Sequence, residues 1–324
     1  MDTTLTRVDI RPFTADDYAA ITRLHNLSYV DFLKEPHEFR FRDEHFPEHC
    51  RWARWVAEAG GQIVGFGGYH QTQWAYHPRK FSLWFAVEPQ WYGRGIASRL
   101  YDLVLKALEP FEPLAIDAWS REDVPALIGF LERRGFAPDM RLWTSALDLT
   151  TFEPSRFADA VPRVEQQGMA LRSLADLGLS TPGVREKLYD VWREVIWDVP
   201  IPPGEQRSEI SFERWWAGYQ QPELFEAGYF LALDGDAYIG LSQLWYSPEP
   251  DVLRTGLTGV RRAYRRRGIA LALKVRALVF AREQGYRRVL TENESNNRGM
   301  LQINEQLGFV KNPAWMHYVK TFER

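Results

Sequence analysis

Cysteine is almost absent from this chain of 324 residues: Cys50 stands alone. An intrachain disulfide framework and a cysteine-built zinc site are both excluded. A reducing, cytoplasmic setting is the expectation. Histidine is sparse too, with seven residues spread along the chain, and no metal site is expected. Apolar runs stop at about five residues (Leu83–Val87 is one), whereas a membrane-spanning helix needs about 20. The stretch from Met1 to Arg7 has no apolar core and does not read as a signal peptide. Neither sign of charge is in excess. Forty basic and 43 acidic side chains leave a net charge of −3, so nothing draws the whole chain to nucleic acid. What is abundant is tryptophan, with 13 residues, which points to well-filled cores or pockets. The length suggests about two domains.

The chain repeats itself. Val87-Glu-Pro-Gln-Trp-Tyr-Gly-Arg-Gly95-Ile96-Ala97 matches Val260-Arg-Arg-Ala-Tyr-Arg-Arg-Arg-Gly268-Ile269-Ala270, 173 positions on. The same offset carries Leu100 onto Leu273 and Gly135-Phe136 onto Gly308-Phe309. Two upstream stretches match as well, Ile10–Asp16 with Leu171–Asp176 and Val56–Gly65 with Leu231–Gly240. Four matches in one order imply two copies of one domain. The expected division is 1–155 and 156–324, with a polar join near Thr151–Gln167. Each copy reads as a strand, a helix, a hairpin, a strand running into a glycine loop, a helix, a strand, a helix, Gly-Phe and a last strand. The hairpin turns are Gly60-Gly61 and Asp234-Gly235. The helix after each loop carries an apolar stripe, Ile96/Leu100/Leu103–Val104/Leu108 and Ile269/Leu273/Ala277/Phe280–Ala281.

A strand that ends in a glycine loop and opens a helix is an anion site, because the first helical amides lack partners and the dipole adds positive charge. A bare tight turn is the competing reading. The recurrence of the loop, with arginine in it both times, favours a phosphate. The Walker spacing and the Gly-x-Gly-x-x-Gly fingerprint are both missing, and the loop follows the fourth strand instead of the first. What remains is Arg265-Arg-Arg-Gly268-Ile-Ala270, which resembles the pyrophosphate loop of the GCN5-related N-acetyltransferase (GNAT) family. Copy one has Tyr92-Gly93-Arg94-Gly95-Ile96-Ala97, with tyrosine where arginine or glutamine is usual. Thr291–Phe309 also resembles the family's Asn-x3-Asn…Leu-Gly-Phe run, and Asn296 or Asn297 reads independently as a helix N-cap. In copy one, Asp123 and Pro125 read as cap and first-turn residues and put a negative charge where the cofactor would lie.

The resemblance spans both copies and implies an α/β (α+β) fold. Two GNAT-like domains are expected, each a mixed, mostly antiparallel twisted sheet flanked by helices. It implies acetyl-CoA as co-substrate and acetyl transfer to a small-molecule amine by the C-terminal copy, the N-terminal copy being degenerate. Implied cofactor contacts are Thr258, Gly259, Val260, Arg265, Arg266, Arg267, Gly268, Ile269, Ala270, Asn293 and Asn297, and in copy one Val87, Tyr92, Gly93, Arg94, Gly95, Ile96 and Ala97. The cluster Arg261, Arg262, Arg265, Arg266, Arg267 would serve the phosphates, a solvated basic face and a nucleic-acid patch being the alternatives. Many relatives carry a tyrosine acid four residues before the Gly of Gly-Phe. Here Asn304 and Leu131 stand there. Glu292, Asn304 and Tyr318 are nominated as catalytic candidates, with His317 beside Tyr318. Glu194, Trp197 and Asp198 are nominated for a cationic acceptor, through ion pairing and cation–π contact. A monomer with an internal pseudo-dimer is expected, with no nucleic-acid or membrane partner. A non-catalytic acyl-CoA sensor and an O-acetyltransferase are the competing functions.

Overall fold

The computed structural model describes residues 7–322. The stretch read above as lacking a signal-peptide core lies almost wholly outside them. Copy one contributes β1 (Val8–Pro12), β2 (Trp52–Ala59), β3 (Gln62–His70), β4 (Lys80–Val87), β5 (Ala115–Arg121) and β6 (Ala137–Asp148). Copy two contributes β7 (Met169–Ser173), β8 (Phe230–Asp234), β9 (Ala237–Tyr246), β10 (Val252–Val260), β11 (Arg288–Glu294), β12 (Val310–Lys311) and β13 (Trp315–Thr321). The helices are α1 (Tyr18–Ser28), α2 (Pro36–Glu44), α3 (Ile96–Leu108), α4 (Pro125–Glu132) and α5 (Ala160–Glu165), then α6 (Leu174–Leu177), α7 (Val184–Ile196), α8 (Phe212–Gly218), α9 (Ile269–Glu283) and α10 (Arg298–Leu307). Among the described residues no helix is long and apolar enough to cross a membrane.

The hairpins form where the turn chemistry allows. Gly60 and Gly61 are both left-handed (φ 56° and 77°), as a two-residue type I′ turn requires. In copy two the turn is Gly235-Asp236, one residue later than expected, because Asp234 still pairs with Ala237 in the ladder. Both hairpins carry the same irregularity: the register slips between Ala57 and Glu58 in one and between Ala232 and Leu233 in the other.

The chain forms two compact units. Unit 1 comprises the chain up to Met140, Pro202–Ser208, and the chain from Trp315 on. Its sheet runs β1-β2-β3-β4-β5-β13, antiparallel except for the β4–β5 pair. Unit 2 comprises Arg141–Ile201 and Glu209–Ala314. Its sheet runs β7-β8-β9-β10-β11-β6, with β12 also on β6 and only β10–β11 parallel. A division at 155/156 separates the sequence copies, but the compact units do not follow it. Each unit takes its last strand from the other copy. β5 and β11 each offer an antiparallel edge next to the parallel pair, so each last strand meets an edge of the same kind in either unit.

The stripes read from the sequence face the cores. Ile96, Leu100, Val104 and Leu108 of α3 are buried in unit 1, and Ile269, Leu273, Ala277 and Ala281 of α9 in unit 2. Each large one contributes about 1.5–3 kcal/mol relative to exposure. That burial docks each helix against the strand that precedes it and holds its N-terminus beside the glycine loop.

Candidate active site

Both glycine loops adopt one backbone. Gly95 and Gly268 are the N-caps of α3 and α9, with φ 75° and 80°. Two residues earlier, Gly93 (φ 75°) and Arg266 (φ 63°) are left-handed as well. Alternating hands turn successive amides into one concavity, which favours an anion. The first helical bonds are Arg99 N–H to Gly95 O and Ala272 N–H to Gly268 O. The amides of residues 96–98 and 269–271 therefore have no intrahelical acceptor. A Cβ on Gly95 or Gly268 would meet nothing within 4 Å, so backbone conformation is what asks for glycine there.

Three arginines of copy two are held by α7 and the turn that follows it. Arg261 donates to Glu194 (2.7 Å), Asp190 (2.5 Å) and the Tyr238 carbonyl (2.7 Å). Arg262 donates to Asp198 at 2.6 Å, and its amide donates to Glu194 at 3.0 Å. Arg265 bonds Asp198 and the Val260 carbonyl. Hydrogen bonds from Arg262 and Arg265 hold the Asp198 carboxyl below its usual range. Glu194 lies in the last turn of α7 and Asp198 in the turn beyond the helix end, so the two do not share a helical face, and the charge of both meets the loop arginines. Trp197 beside them is 46% exposed. Arg267 lies over Tyr264, 5.3 Å from the ring centroid. In copy one the loop is plainer. Tyr92 is 54% exposed and Arg94 lies over Trp91 at 4.5 Å. Asp123 pairs with Arg121 at 2.9 Å, and Val124, not Asp123, is the N-cap of α4, with Pro125 first in the helix.

The strands before the loops differ. In each unit the parallel pair separates partway along. The last rungs are Ser82–Asp117 between β4 and β5 and Arg254–Leu290 between β10 and β11. Beyond them a split opens toward the loop. On its other side β4 pairs with β3 without interruption, from Gly65–Val87 to His70–Ser82. In contrast, β10 carries a bulge. Thr255 pairs with Leu244 and Thr258 with Ser242, so Gly256 and Leu257 together oppose Gln243. Thr258, Gly259 and Val260 then pair with Ser242, Leu241 and Gly240. Gly259 is required by packing, because a Cβ there would overlap Val195. The split, the bulge and the amide concavity lie along one strand, loop and helix start, which suits an extended ligand with an anionic end.

The catalytic candidates divide between the units. Glu292, exposed, lies two residues beyond the last rung, opposite Thr144 of β6. Asn304, buried in α10, donates to Asn293. Asn297 caps α10 by accepting from the Met300 amide, as its sequence position implies. Tyr318 is elsewhere. It pairs with Ala118 in β5 and is buried in the unit 1 core with Tyr101 and Phe136. It therefore belongs to unit 1, whereas Glu292 and Asn304 belong to unit 2. The cause is the strand exchange, which the sequence copies do not betray.

Two clusters escaped the sequence reading. In unit 1, His317 Nδ1 contacts Asp139 at 2.5 Å and Nε2 contacts Asp117 at 3.3 Å. Burial opposes its charge, but Asp117 and then Asp139 outweigh it and push His317 up to about 9. Glu205, carried into unit 1 by Pro202–Ser208, is pushed up to about 7 by burial, with Asp117 adding to it. In unit 2, Gln243 bonds the bulge and two buried tyrosines. Its signal in the sequence was a lone amide in the apolar run of β9.

Known proteins agree with this geometry. The chain matches the Acetyltransferase (GNAT) family over residues 19–136 and again over 189–309. A mycothiol acetyltransferase from Arthrobacter sp. (strain FB24) is 24% identical over 239 residues, 72% of this chain and 68% of that protein. Among solved structures, a tandem GNAT protein from the clavulanic acid biosynthesis pathway superposes with a TM-score of 0.72 at 18% identity, covering 97% of this chain and 98% of that one. A GCN5-related N-acetyltransferase from Sphaerobacter thermophilus gives 0.68 at 19% identity, covering 97% and 95%. At such identities these two structures speak for the fold alone. One family match falls in each sequence copy and together they take in most of the chain, which therefore belongs to the acetyltransferase (GNAT) family as a tandem of two copies.

Proposed function

We propose that the chain is an acetyl-CoA-dependent N-acetyltransferase that acetylates a small-molecule amine, and that unit 2 carries the reaction. The observation that carries this reading is the β10 bulge beside the open split. It gives β10 backbone groups that β9 does not consume, next to an amide concavity that suits a pyrophosphate. Unit 1 has the concavity and the split but an unbroken ladder. In unit 2 the amides of Ile269 and Ala270 would hold the phosphates, with Arg266 and Arg267 beside them. Thr258 to Val260 would flank the arm. When bound, acetyl-CoA supplies an acetyl group already activated as a thioester.

The chain's own residues then orient the partners and handle one proton. A free amine is mostly protonated near neutral pH and must lose a proton to attack. Glu292 is the carboxylate proposed to take it, directly or through water. Asn304 is committed to Asn293 and has no acidic proton, so the sulfur leaves without the tyrosine found in many relatives. Trp197 is retained on the acceptor side. Glu194 and Asp198 contribute by holding the loop arginines.

The test is release of CoA thiol from acetyl-CoA, with four kinds of acceptor: an aromatic amine, an amino sugar, a polyamine and an amino acid. Thiol release with at least one amine is expected, with the acetylated amine seen by mass spectrometry. Acetyl-CoA binding without release would favour an acyl-CoA sensor. Release only with the matching alcohols would favour O-acetyl transfer.

A further inference from the structure

One buried side chain in unit 2 has every polar valence committed. Gln243 of β9 is 4% exposed. Its Oε1 accepts from the Leu257 amide at 2.9 Å and from Trp245 Nε1 at 3.2 Å. Its Nε2 donates to the Tyr219 hydroxyl at 2.7 Å and the Tyr229 hydroxyl at 3.1 Å. A primary amide has two N–H groups and two lone pairs, so these four bonds exhaust it. The hydroxyls lie 3.2 Å apart and bond one another. Burial pushes Tyr229 up to about 12 and Tyr219 well above its ordinary value. The network therefore stays neutral through any ordinary assay.

We propose that Gln243 is a positioning residue for acyl transfer in unit 2: it locks the Gly256–Leu257 bulge in its two-against-one register and so fixes which β10 backbone groups face the split. This rests on the reading that unit 2 is the acyl site. A bulge leaves one residue's backbone groups outside the ladder, and an unpaired buried amide is costly. The Gln243 side chain accepts the Leu257 amide at that point and keeps it turned away from the split. Trp245 Nε1 at Oε1 (3.2 Å) and the Tyr219 hydroxyl at Nε2 (2.7 Å) hold the amide from behind, so it cannot rotate out of place.

Two further observations support the assignment. The first is Gly256. A Cβ at that position would overlap Gln243 Oε1 and crowd Trp245 Nε1 at 2.5 Å, while its backbone is not left-handed. Glycine is there to admit the amide. The second is unit 1, which serves as a natural control. Gly65 faces Val87 as Gly240 faces Val260. Three residues on, Gly68 stands where Gln243 does. Gly68 has no side chain to accept an amide, and its partner strand has no bulge.

The experiment compares Gln243→Leu, Gly256→Ala and Tyr229→Phe in the full chain. It uses acetyl-CoA and the amine that turns over fastest in the panel above. Thermal melts are run beside kcat, KM for acetyl-CoA and hydrogen exchange of the Leu257 amide. The expected result is a fall in kcat of about 10²-fold in Gln243→Leu and Gly256→Ala, with KM little changed and Leu257 exchanging faster. Tyr229→Phe keeps Oε1 on the bulge. It should lower the melting temperature while leaving kcat near wild type, a split that a merely structural role would not produce. Wild-type kcat in both bulge variants, or unchanged Leu257 exchange in both, overturns the proposal. If the wild type releases no thiol but Leu257 still loses protection in the variants, the acyl-site reading falls and the lock on the bulge stands.

Discussion

Strands β4 and β10 lead into loops of the same backbone, yet they prepare different surfaces. Gly93/Gly95 and Arg266/Gly268 place left-handed residues at the same two positions, and both loops open a helix whose first amides are unsatisfied within it. What differs lies upstream. β10 is interrupted opposite Gln243, whereas β4 is continuous opposite Gly68. A loop backbone can therefore be duplicated intact while the strand beside it is not. The side chains around the loops differ as well. Unit 2 holds three loop arginines on carboxylates of α7 and of the turn after it, and unit 1 has an exposed tyrosine and an aspartate paired to Arg121.

The largest expected effect is on turnover. Gly268→Asp puts a carboxylate where phosphate is proposed to sit and should abolish thiol release. Losing one charge-assisted contact alone costs about 1.5–3 kcal/mol, roughly tenfold or more in affinity. Gly95→Asp, at the equivalent φ, should leave most activity. Steady-state assays of both variants, each checked by its melt, decide the matter. The reverse pattern would give the chemistry to unit 1.

The second expectation is that the units respond to pH with opposite sign. His317 is pushed above its ordinary value, to about 9. Its contribution to stability is full below about 6.5 and is lost as pH rises through 9. Lys274 in α9 of unit 2 is buried, with its ammonium 5.5 Å from the Phe309 ring centroid, and burial pushes it down to about 8. Its cost is absent above about 10.5 and is felt in full once pH falls through 8. Lys274→Met should raise the melting temperature at pH 7 by roughly 3–8 °C, with the gain shrinking above pH 9. His317→Gln should lower it most at pH 6. Melts of both variants from pH 6 to 10 check the signs. A gain from Lys274→Met that persists at pH 10 would mean that packing, not charge, is responsible.

The smallest effect concerns the arginine clamp on Asp198. Asp198→Asn removes a negative charge beside the concavity and releases Arg262 and Arg265. Exposed ion pairs are weak, so acetyl-CoA should bind only about two- to fivefold tighter at low salt, with the gain fading as salt is added. Calorimetry at two ionic strengths measures this. Weaker binding would mean that Asp198 serves by aiming the arginines.

Features written in near neighbours were legible without the structure. The Gly60-Gly61 turn, the α3 and α9 stripes, the Asn297 cap and the two glycine loops each depend on residues within a turn or two of one another. The carboxylates Glu194 and Asp198 read as one helical face, whereas the helix ends at Ile196 and both carboxylates clamp arginines. Their partners lie at least 64 positions away, and spacing along a helix does not name what packs against it. The bulge was hidden for a related reason. Gly256 looked like any glycine in a strand, and only the arrival of Gln243 from β9 gives it a purpose.

The sequence by itself determined the repeat, the order of elements within each copy and the two glycine loops, because each follows from local backbone preference and periodicity. Only the tertiary structure decided which edge each last strand joins. β6 and β13 have equivalent places in the two copies, and β5 and β11 offer them equivalent edges, so pairing to either is compatible with the pattern. That choice put Tyr318 and His317 in unit 1 beside Asp117 and left Glu292 facing β6 in unit 2. A period-two pattern specifies which face of a strand is buried, but not which of two similar edges it meets.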